Sequence, residues 1–420
     1  MESLAPDLKD MRRVPLSPAH QDAIRAIGIE RRYASGDHVL RVGDPIDEFL
    51  LVEEGEIAIV NPATGERTQP FGLGPTQFTG EIGFLQGGRN ALAMRAMVDT
   101  RVTAVPRAAM LNLMARVPEI SDIVITVYAA RRRRQIEEGD TDLRLVGAPD
   151  DKALNRIAAF ANRNRIAFAR IDASAPEARN LAQQAGVSAN EAFIAFGGGS
   201  IITDPTPADV ARLMGVGLQI DAEEIIDVLI IGGGPAGVAA AVYAGAEGLS
   251  ALVLEDLAIG GQAGASSRIE NYLGFPTGIS GADLVWRGEV QALKFGTRFA
   301  VPVRVAQIER RGDGVFCVRT EGGDVICARA VVIATGVLYR KLPLPGMEAY
   351  EGAGIYYAAT DLEARACRGT EAVIVGGGNS AGQAATHLSR HAAHVHLVVR
   401  GASLAASMSH YLESRLSADP

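Results

Sequence analysis

The clearest alternation of apolar runs and polar breaks lies in the second half of the chain. Two strand-like runs, Asp227-VLII and Glu371-AVIV, each lead into a glycine turn and then into helical stretches, VAAAVYAGAEG and AGQAATHLSR. Second apolar runs follow each, SALVLE and HVHLVV. Strand, tight turn, helix and strand in close succession predict two βαβ units. Residues 142–220 alternate in another order: strand LRLVG, helix DKALNRIAAFANRN, strand AFARIDA, helix PEARNLAQQAG, strands EAFIAF and SIITDP, helix PADVARLMGVG. That is a βαβαββα pattern. Residues 15–135 open on a helix with Ser17 as N-cap and Pro18 in its first turn. Glycine-punctuated β-rich stretches follow (HVLRVGD, FLLVEEGEIAIV, MRAMVDTRVTAVP), then two helices between Arg107 and Arg134. Roughly eight short strands between helices predict a β-roll.

The expected chain is therefore multidomain, α/β and α+β, with segments 1–135, 142–220, 225–345 and 346–420 and linkers near 135–141 and 219–226. A length of 420 residues with 48% hydrophobic positions suits several packed cores. The net charge of −8 and the 5% aromatic content argue against a nucleic-acid platform. No apolar run is long enough to span a bilayer, and the N-terminus shows no secretory apolar stretch, so a cytoplasmic protein is expected. Cys317, Cys327 and Cys367 are scattered and form neither a disulfide framework nor a metal site by spacing. Cys317 and Cys327 lie in VFCVRT and VICARA and are expected as core residues; Cys367, in EARACRG, is expected as a small buried hydrophobe.

FTGEIGFLQGGRNALA, residues 78–93, resembles the phosphate-binding cassette of cyclic-nucleotide-binding domains. The resemblance implies that Gly80 shapes the turn, Glu81 accepts from a ribose hydroxyl, Arg89 pairs with the cyclic phosphate, and Asn90 and Ala91 offer backbone N–H groups. Paired guanidinium contacts suit an anionic phosphate. The other use of Glu81 and Arg89 is an ion pair within the loop, and the identity of the base is open. The run Arg131–Arg134 is expected as a solvated helix C-terminus, where cations suit the dipole.

The βαβαββα segment resembles a thioredoxin or glutaredoxin fold. Redox-active members carry a cysteine pair at the first helix N-terminus, where the thiol pKa is lowered. Here that position reads Gly147-Ala148-Pro149-Asp150-Asp151, and Ala189-Asn190-Glu191 stands where the family has a cis-proline. A segment without disulfide exchange is expected, either an adaptor or spacer linking sensor to enzyme or an inert relic.

Gly232, Gly234 and Gly237, with Pro235 and Ala236 between them, follow a strand, open a helix and precede Glu255 at the end of the next strand. This set places a diphosphate on the helix N-terminus and an acid on the adenosine ribose. Gly260-Gly261-Gln262, Glu270-Asn271-Tyr272-Leu273-Gly274-Phe275-Pro276 and Ala334-Thr335-Gly336 then resemble thioredoxin-reductase-like flavoproteins. The resemblance implies a two-dinucleotide-domain, Rossmann-like FAD/NAD(P) architecture and a homodimer. It sets Gln262 and Asn271 near the flavin and Ala334, Thr335 and Gly336 at the chain crossing beside it. The second unit carries Gly376, Gly378, Asn379, Ser380 and Ala381, and its second strand ends on Arg400. A basic residue there suits a 2′-phosphate and favours NADPH, with NADH as the alternative because Gly401, Ala405 and Ala406 add no cation.

The family's Cys-x-x-Cys pair is missing: the positions are Ala358 and Asp361. The Gly-Asp motif with which the family completes its flavin lobe is also not found after Arg400, which makes a fragment the expectation. The reading is an NAD(P)H-dependent FAD oxidoreductase of thioredoxin-reductase type with a cyclic nucleotide as effector and an electron acceptor not specified by sequence. The alternatives are a non-catalytic nucleotide-binding regulator, or a disulfide reductase using thiols of another chain.

Overall fold

The computed structural model describes residues 16–62, 64–90, 92–138, 141, 143–188, 191–196, 200–214, 216–218, 224–266, 268–337, 343–347, 350, 354–357, 359 and 361–419. They form two compact units: residues up to Gly261 with Asp283–Thr335, and Gln262–Ala282 with the residues from Gly336 onward.

The first unit begins with α1 (Pro18–Arg25), where the Ser17 side chain accepts from the His20 N–H. Then come β1 (Ile29–Tyr33), β2 (His38–Leu40), β3 (Glu48–Glu54), β4 (Ile57–Val60), α2 (Gly83–Gln86), β5 (Ala93–Ala96), β6 (Thr100–Pro106), α3 (Arg107–Arg116) and α4 (Pro118–Glu138). Two antiparallel sheets, β1-β6-β3 and β2-β5-β4, make the roll. Phe49, Leu50, Leu51 and Val52 of β3 are all buried, so this strand reads as an unbroken apolar run. Six strands form among the described residues here, fewer than the sequence pattern predicts. The stretch with Pro62, Pro70 and Pro75 instead supplies single bridges, Val60↔Arg67, Ile57↔Leu73 and Leu51↔Phe78, because proline removes ladder donors.

The middle segment contains β7 (Arg144–Gly147), α5 (Lys152–Arg163), β8 (Ala169–Asp172), α6 (Pro176–Ala185), β9 (Phe193–Phe196), β10 (Ser200–Thr203) and α7 (Pro207–Leu213). The sheet order is β10-β9-β7-β8, with only β7 and β8 parallel. This is the predicted βαβαββα succession. The Asp151 carboxylate accepts from the Leu154 N–H at 2.8 Å, so a capping acid occupies the helix start where a redox thiol would stand.

The flavoprotein-like part adds β11 (Ile225–Ile231), α8 (Pro235–Ala246), β12 (Ala251–Leu254), α9 (Gly281–Lys294), β13 (Arg298–Ala300), β14 (Val305–Arg310), β15 (Phe316–Thr320) and β16 (Val325–Ile333). Parallel strands β13-β12-β11-β16 continue into the antiparallel ribbon β15-β14. Here the expectation for the cysteines is corrected. Cys317 and Cys327 face each other across β15 and β16 and form a disulfide, S–S 2.02 Å, and both are half-buried rather than core residues. One hydrophobic cluster runs through this unit. It joins Ile120, Val124, Val127 and Tyr128 of α4 to Val238 and Ala241 of α8 and Val285, Ala292 and Leu293 of α9.

The second unit holds α10 (Asp361–Ala366), β17 (Glu371–Val375), α11 (Asn379–Leu388), β18 (His394–Val398) and α12 (His410–Ser417). β17 and β18 pair in parallel, and Ala364, Ala372 and Leu388 form a small core against which the half-buried Cys367 packs. No helix among the described residues is long and apolar enough to cross a membrane.

Candidate functional site

The cassette is held from behind by α4. Gly80 adopts φ +109°, and a Cβ there would stand 2.4 Å from the Tyr128 hydroxyl oxygen, so only glycine fits. Tyr128 is fully buried among Phe78 and Phe84, with ring centroids 6.0 and 5.9 Å away. Its hydroxyl donates to the Thr79 carbonyl at 3.1 Å, and burial holds the phenol protonated far above its ordinary pKa. Arg131 donates to the carbonyls of Gly80 and Phe78, both at 2.8 Å. Arg132 pairs with Glu81 at 3.2 Å, and Arg134 lies over the Phe71 ring at 4.5 Å. Arg131 and Arg132 therefore grip the cassette, contrary to the expected solvated terminus. The one-face spacing of Tyr128, Arg131 and Arg132, three and four residues apart on a helix, is the sequence signal for this contact.

Glu81 uses its second oxygen to accept from the Gly83 N–H at 2.9 Å. Arg89 is exposed and donates to the Gly43 carbonyl at 2.7 Å. A direct ion pair between Glu81 and Arg89 is thus not formed; each has another partner. The Asn90 N–H, expected to face a phosphate, donates to the Asp44 carbonyl at 2.9 Å, because the loop closes onto the Gly43 turn. Ala91 lies outside the described residues.

In the first dinucleotide turn, Gly232 has φ +104° and a Cβ there would meet the Ala334 carbonyl oxygen at 2.3 Å. At Gly237 a Cβ would meet the Gly232 carbonyl oxygen at 1.8 Å, which brings α8 tightly onto β11. Gly234 is the N-cap of α8; no side chain caps it, and a Cβ there would find open space. Pro235 and Ala236 form the first helical positions, leaving first-turn amides facing outward. This cradle fits a diphosphate. Glu255 is buried and accepts from the N–H groups of Gly233 at 2.7 Å, Leu257 at 3.0 Å and Ala258 at 3.4 Å. Burial pushes its carboxyl above the ordinary value, and these backbone donors oppose the shift. Ala334 donates its N–H to Ile231 at 2.8 Å, with Thr335 exposed beside it. Gly261 has φ +52°, and the neighbouring Gly260 N–H donates to Gly233 at 2.7 Å.

In the second unit, Gln262 donates to the Val337 carbonyl at 2.7 Å, and Asn271 is exposed. Gly336 has φ +67° and Gly376 has φ +145°. Gly378 is the N-cap of α11 without a side-chain cap, so this turn too leaves helix amides open to a phosphate. The Asn379 side chain accepts from the Ser409 N–H at 2.7 Å and ties α12 to the turn, a contact the sequence reading did not foresee. Ser380 and Arg400 are exposed and Ala381 is half-buried. Ala358 lies outside the described residues, as does the side chain of Asp361.

Two family models match the chain. The pyridine nucleotide-disulphide oxidoreductase family matches residues 226–419, and the cyclic nucleotide-binding domain family matches residues 30–117. The chain is thus a fusion of a cyclic nucleotide-binding domain with a pyridine nucleotide-disulphide oxidoreductase domain. Among its relatives, a thioredoxin reductase of Streptomyces clavuligerus is 38% identical over 47% of this chain and 60% of that protein. A bifunctional thioredoxin reductase/thioredoxin of Mycobacterium leprae is 38% identical over 42% of this chain and 38% of that protein. A solved thioredoxin reductase of Lactococcus lactis is 33% identical, with 46% of this chain and 61% of that chain covered and a TM-score of 0.43. The chain therefore spans less than two thirds of the length of these relatives.

Proposed function

We propose that this protein is an NAD(P)H-dependent, FAD-dependent oxidoreductase of thioredoxin-reductase type under the control of a cyclic nucleotide. The observation that carries the reading is the turn at Gly232–Gly237, with its uncapped helix start and the acid Glu255 beside it. The similar turn at Gly376–Gly378 supports a second dinucleotide. FAD and NADPH fit these places. Bound together, they supply hydride transfer from nicotinamide to flavin. Gly232, Gly234 and Gly237 shape the room for one diphosphate, and Gly376 and Gly378 for the other. Glu255 would hold the adenosine ribose of FAD and Arg400 the 2′-phosphate of NADPH.

No cysteine occurs at 357–361 or at 147–151. This supports an acceptor other than a Cys-x-x-Cys pair at either place, with a disulfide reductase using thiols of another chain as the second reading. The test is anaerobic mixing of the flavin-loaded protein with NADPH. Rapid bleaching of the flavin band is expected. A fully loaded protein whose band persists would be a nucleotide-binding regulator, and the enzyme reading would fall.

A further inference from the structure

The second dinucleotide turn is held from outside by the residues that follow Arg400. Three consecutive side chains or amides reach it. The Ser407 hydroxyl donates to the Gly377 carbonyl at 2.8 Å. Met408 is buried, and a Cβ at Gly382 of α11 would stand 2.9 Å from its sulfur. The Ser409 N–H donates to the Asn379 side-chain oxygen at 2.7 Å. Ser409 precedes α12, yet its side chain does not cap that helix. A single helical turn, Leu404–Ala406, sets the approach: the N–H groups of Ser407 and Met408 both donate to the Leu404 carbonyl, at 3.2 and 3.0 Å.

The bond from Ser407 decides which way one amide points. The Gly377–Gly378 peptide is trans, so its carbonyl and its N–H leave it on opposite sides. With the carbonyl turned to Ser407, the Gly378 N–H is turned away from that segment. Gly378 is the N-cap of α11, and its own carbonyl already accepts from the Gly382 N–H at 3.1 Å. Its N–H is one of the four at a helix start that have no partner within the helix. Two glycines flank this peptide, and without side chains they leave its rotation unbiased. The restraint therefore has to come from outside the turn. A Cβ at Gly377 would stand 3.2 Å both from the Ser407 hydroxyl oxygen and from a Val399 methyl. Glycine at 377 thus admits the hydroxyl that does the restraining.

We infer that Ser407 is a positioning residue for the second dinucleotide, its hydroxyl locking the Gly377–Gly378 peptide with the Gly378 N–H presented to the diphosphate. The inference rests on the proposed dinucleotide reading of this turn and adds the group that presets it. Asn379 acts differently from what its place in the turn suggests. Its side-chain oxygen is occupied by Ser409, so it fastens the Ser407 segment instead of meeting the ligand. A preset amide raises affinity because the peptide gives up its rotation before the ligand arrives. Ser407 touches no reacting group.

The test is calorimetric titration of the full chain with NADP+ and NAD+, with hydrogen exchange of the α12 amides followed in parallel. Ser407→Ala should weaken the dinucleotide that binds by about three- to tenfold, the worth of one neutral hydrogen bond. The α12 amides should exchange as in the wild type, because Met408 and Asn379 still hold the segment. Ser407→Thr keeps the hydroxyl at an exposed position and should restore the affinity. Asn379→Ala should weaken binding and speed α12 exchange together. Unchanged affinity in Ser407→Ala would overturn the inference alone. So would a loss that comes with faster α12 exchange, since Ser407 would then only dock the helix. Binding of neither NADP+ nor NAD+ to the wild type would overturn the dinucleotide reading of this turn and the inference together.

Discussion

Replacing Gly80 with alanine probes the contact between cassette and α4 most directly. The φ of +109° is one that side-chain-bearing residues rarely adopt; a left-handed backbone costs roughly 1–2 kcal/mol per residue. The new methyl would also stand 2.4 Å from the Tyr128 hydroxyl oxygen and 2.7 Å from the ring carbon that bears it. Tyr128 has no room to retreat, since Phe78 and Phe84 pack against it edge-on. Overpacking of this kind costs about 1–3 kcal/mol. The sum is a loss of about 2–5 kcal/mol in the local stability of the cassette, or roughly 30- to 4,000-fold in the opening equilibrium. Hydrogen exchange of the α4 amides in the full chain reads this locally, without assuming that a multidomain chain unfolds in one step. Tyr128→Phe sharpens the argument. Alone, it loses the bond to the Thr79 carbonyl, at a cost of about 1–3 kcal/mol for a buried acceptor left unpaired. In the Gly80→Ala background it removes the nearer of the two clashing atoms. The double variant should then be less destabilised than the sum of the singles by on the order of 1 kcal/mol. Strict additivity would refute the claim that this hydroxyl is what excludes a side chain at position 80.

Three further outcomes are expected. Gly232→Ala places a methyl against the Ala334 carbonyl oxygen, and FAD titration should show affinity reduced about tenfold or more, since the turn must shift to admit it. Asp151→Ala should destabilise the middle segment by about 1 kcal/mol, read as faster amide exchange in the first turn of α5. Glu53 accepts from Arg25 at 2.9 and 2.7 Å and from the Thr103 hydroxyl, and the Arg25 fork, foremost among these, holds its carboxyl below the ordinary value of 4.5. The unfolded chain therefore binds this proton first on acidification. The stability it contributes is complete above pH 4.5 and is lost as the pH falls through its lowered pKa. Glu53→Gln should flatten the acid limb of a pH–stability profile, and an unchanged limb would contradict the assignment.

What the sequence made legible is what sequence neighbours determine. The turns at Gly232 and Gly376 sit directly between a strand and a helix, and Ser17 caps the helix it precedes. The succession of elements from Arg144 to Leu213 could likewise be read from local periodicity. The arginines of α4 were not legible in the same way, because a basic helix end looks alike whether water or a carbonyl receives it. Only the packing of Tyr128 under Gly80 turns Arg131 and Arg132 inward. The Cys317–Cys327 bond was closer to reach. Gly322 and Gly323 stand midway between two strand-like runs, and folding the chain there as a hairpin brings the two sulfurs face to face. Reading the cysteines by count and spacing alone passes over that register. Likewise the partners of Glu81, Arg89 and Asn90 depend on the Gly43 turn and on α4, both remote in sequence.

The hydrophobic cluster that runs from α4 into α8 and α9 bears on how freely the parts of this chain can be exchanged. Modules joined only by a linker can be trimmed, shuffled or replaced, and each keeps its own interior. Here Ile120, Val124 and Val127 complete an interior to which Val285 and Leu293 also belong. Excising the N-terminal part would leave an apolar scar on α8 and α9, and grafting in a foreign domain would require its last helix to match that surface. The two parts are therefore inherited as one piece, and any divergence in one must pass through side chains that the other uses.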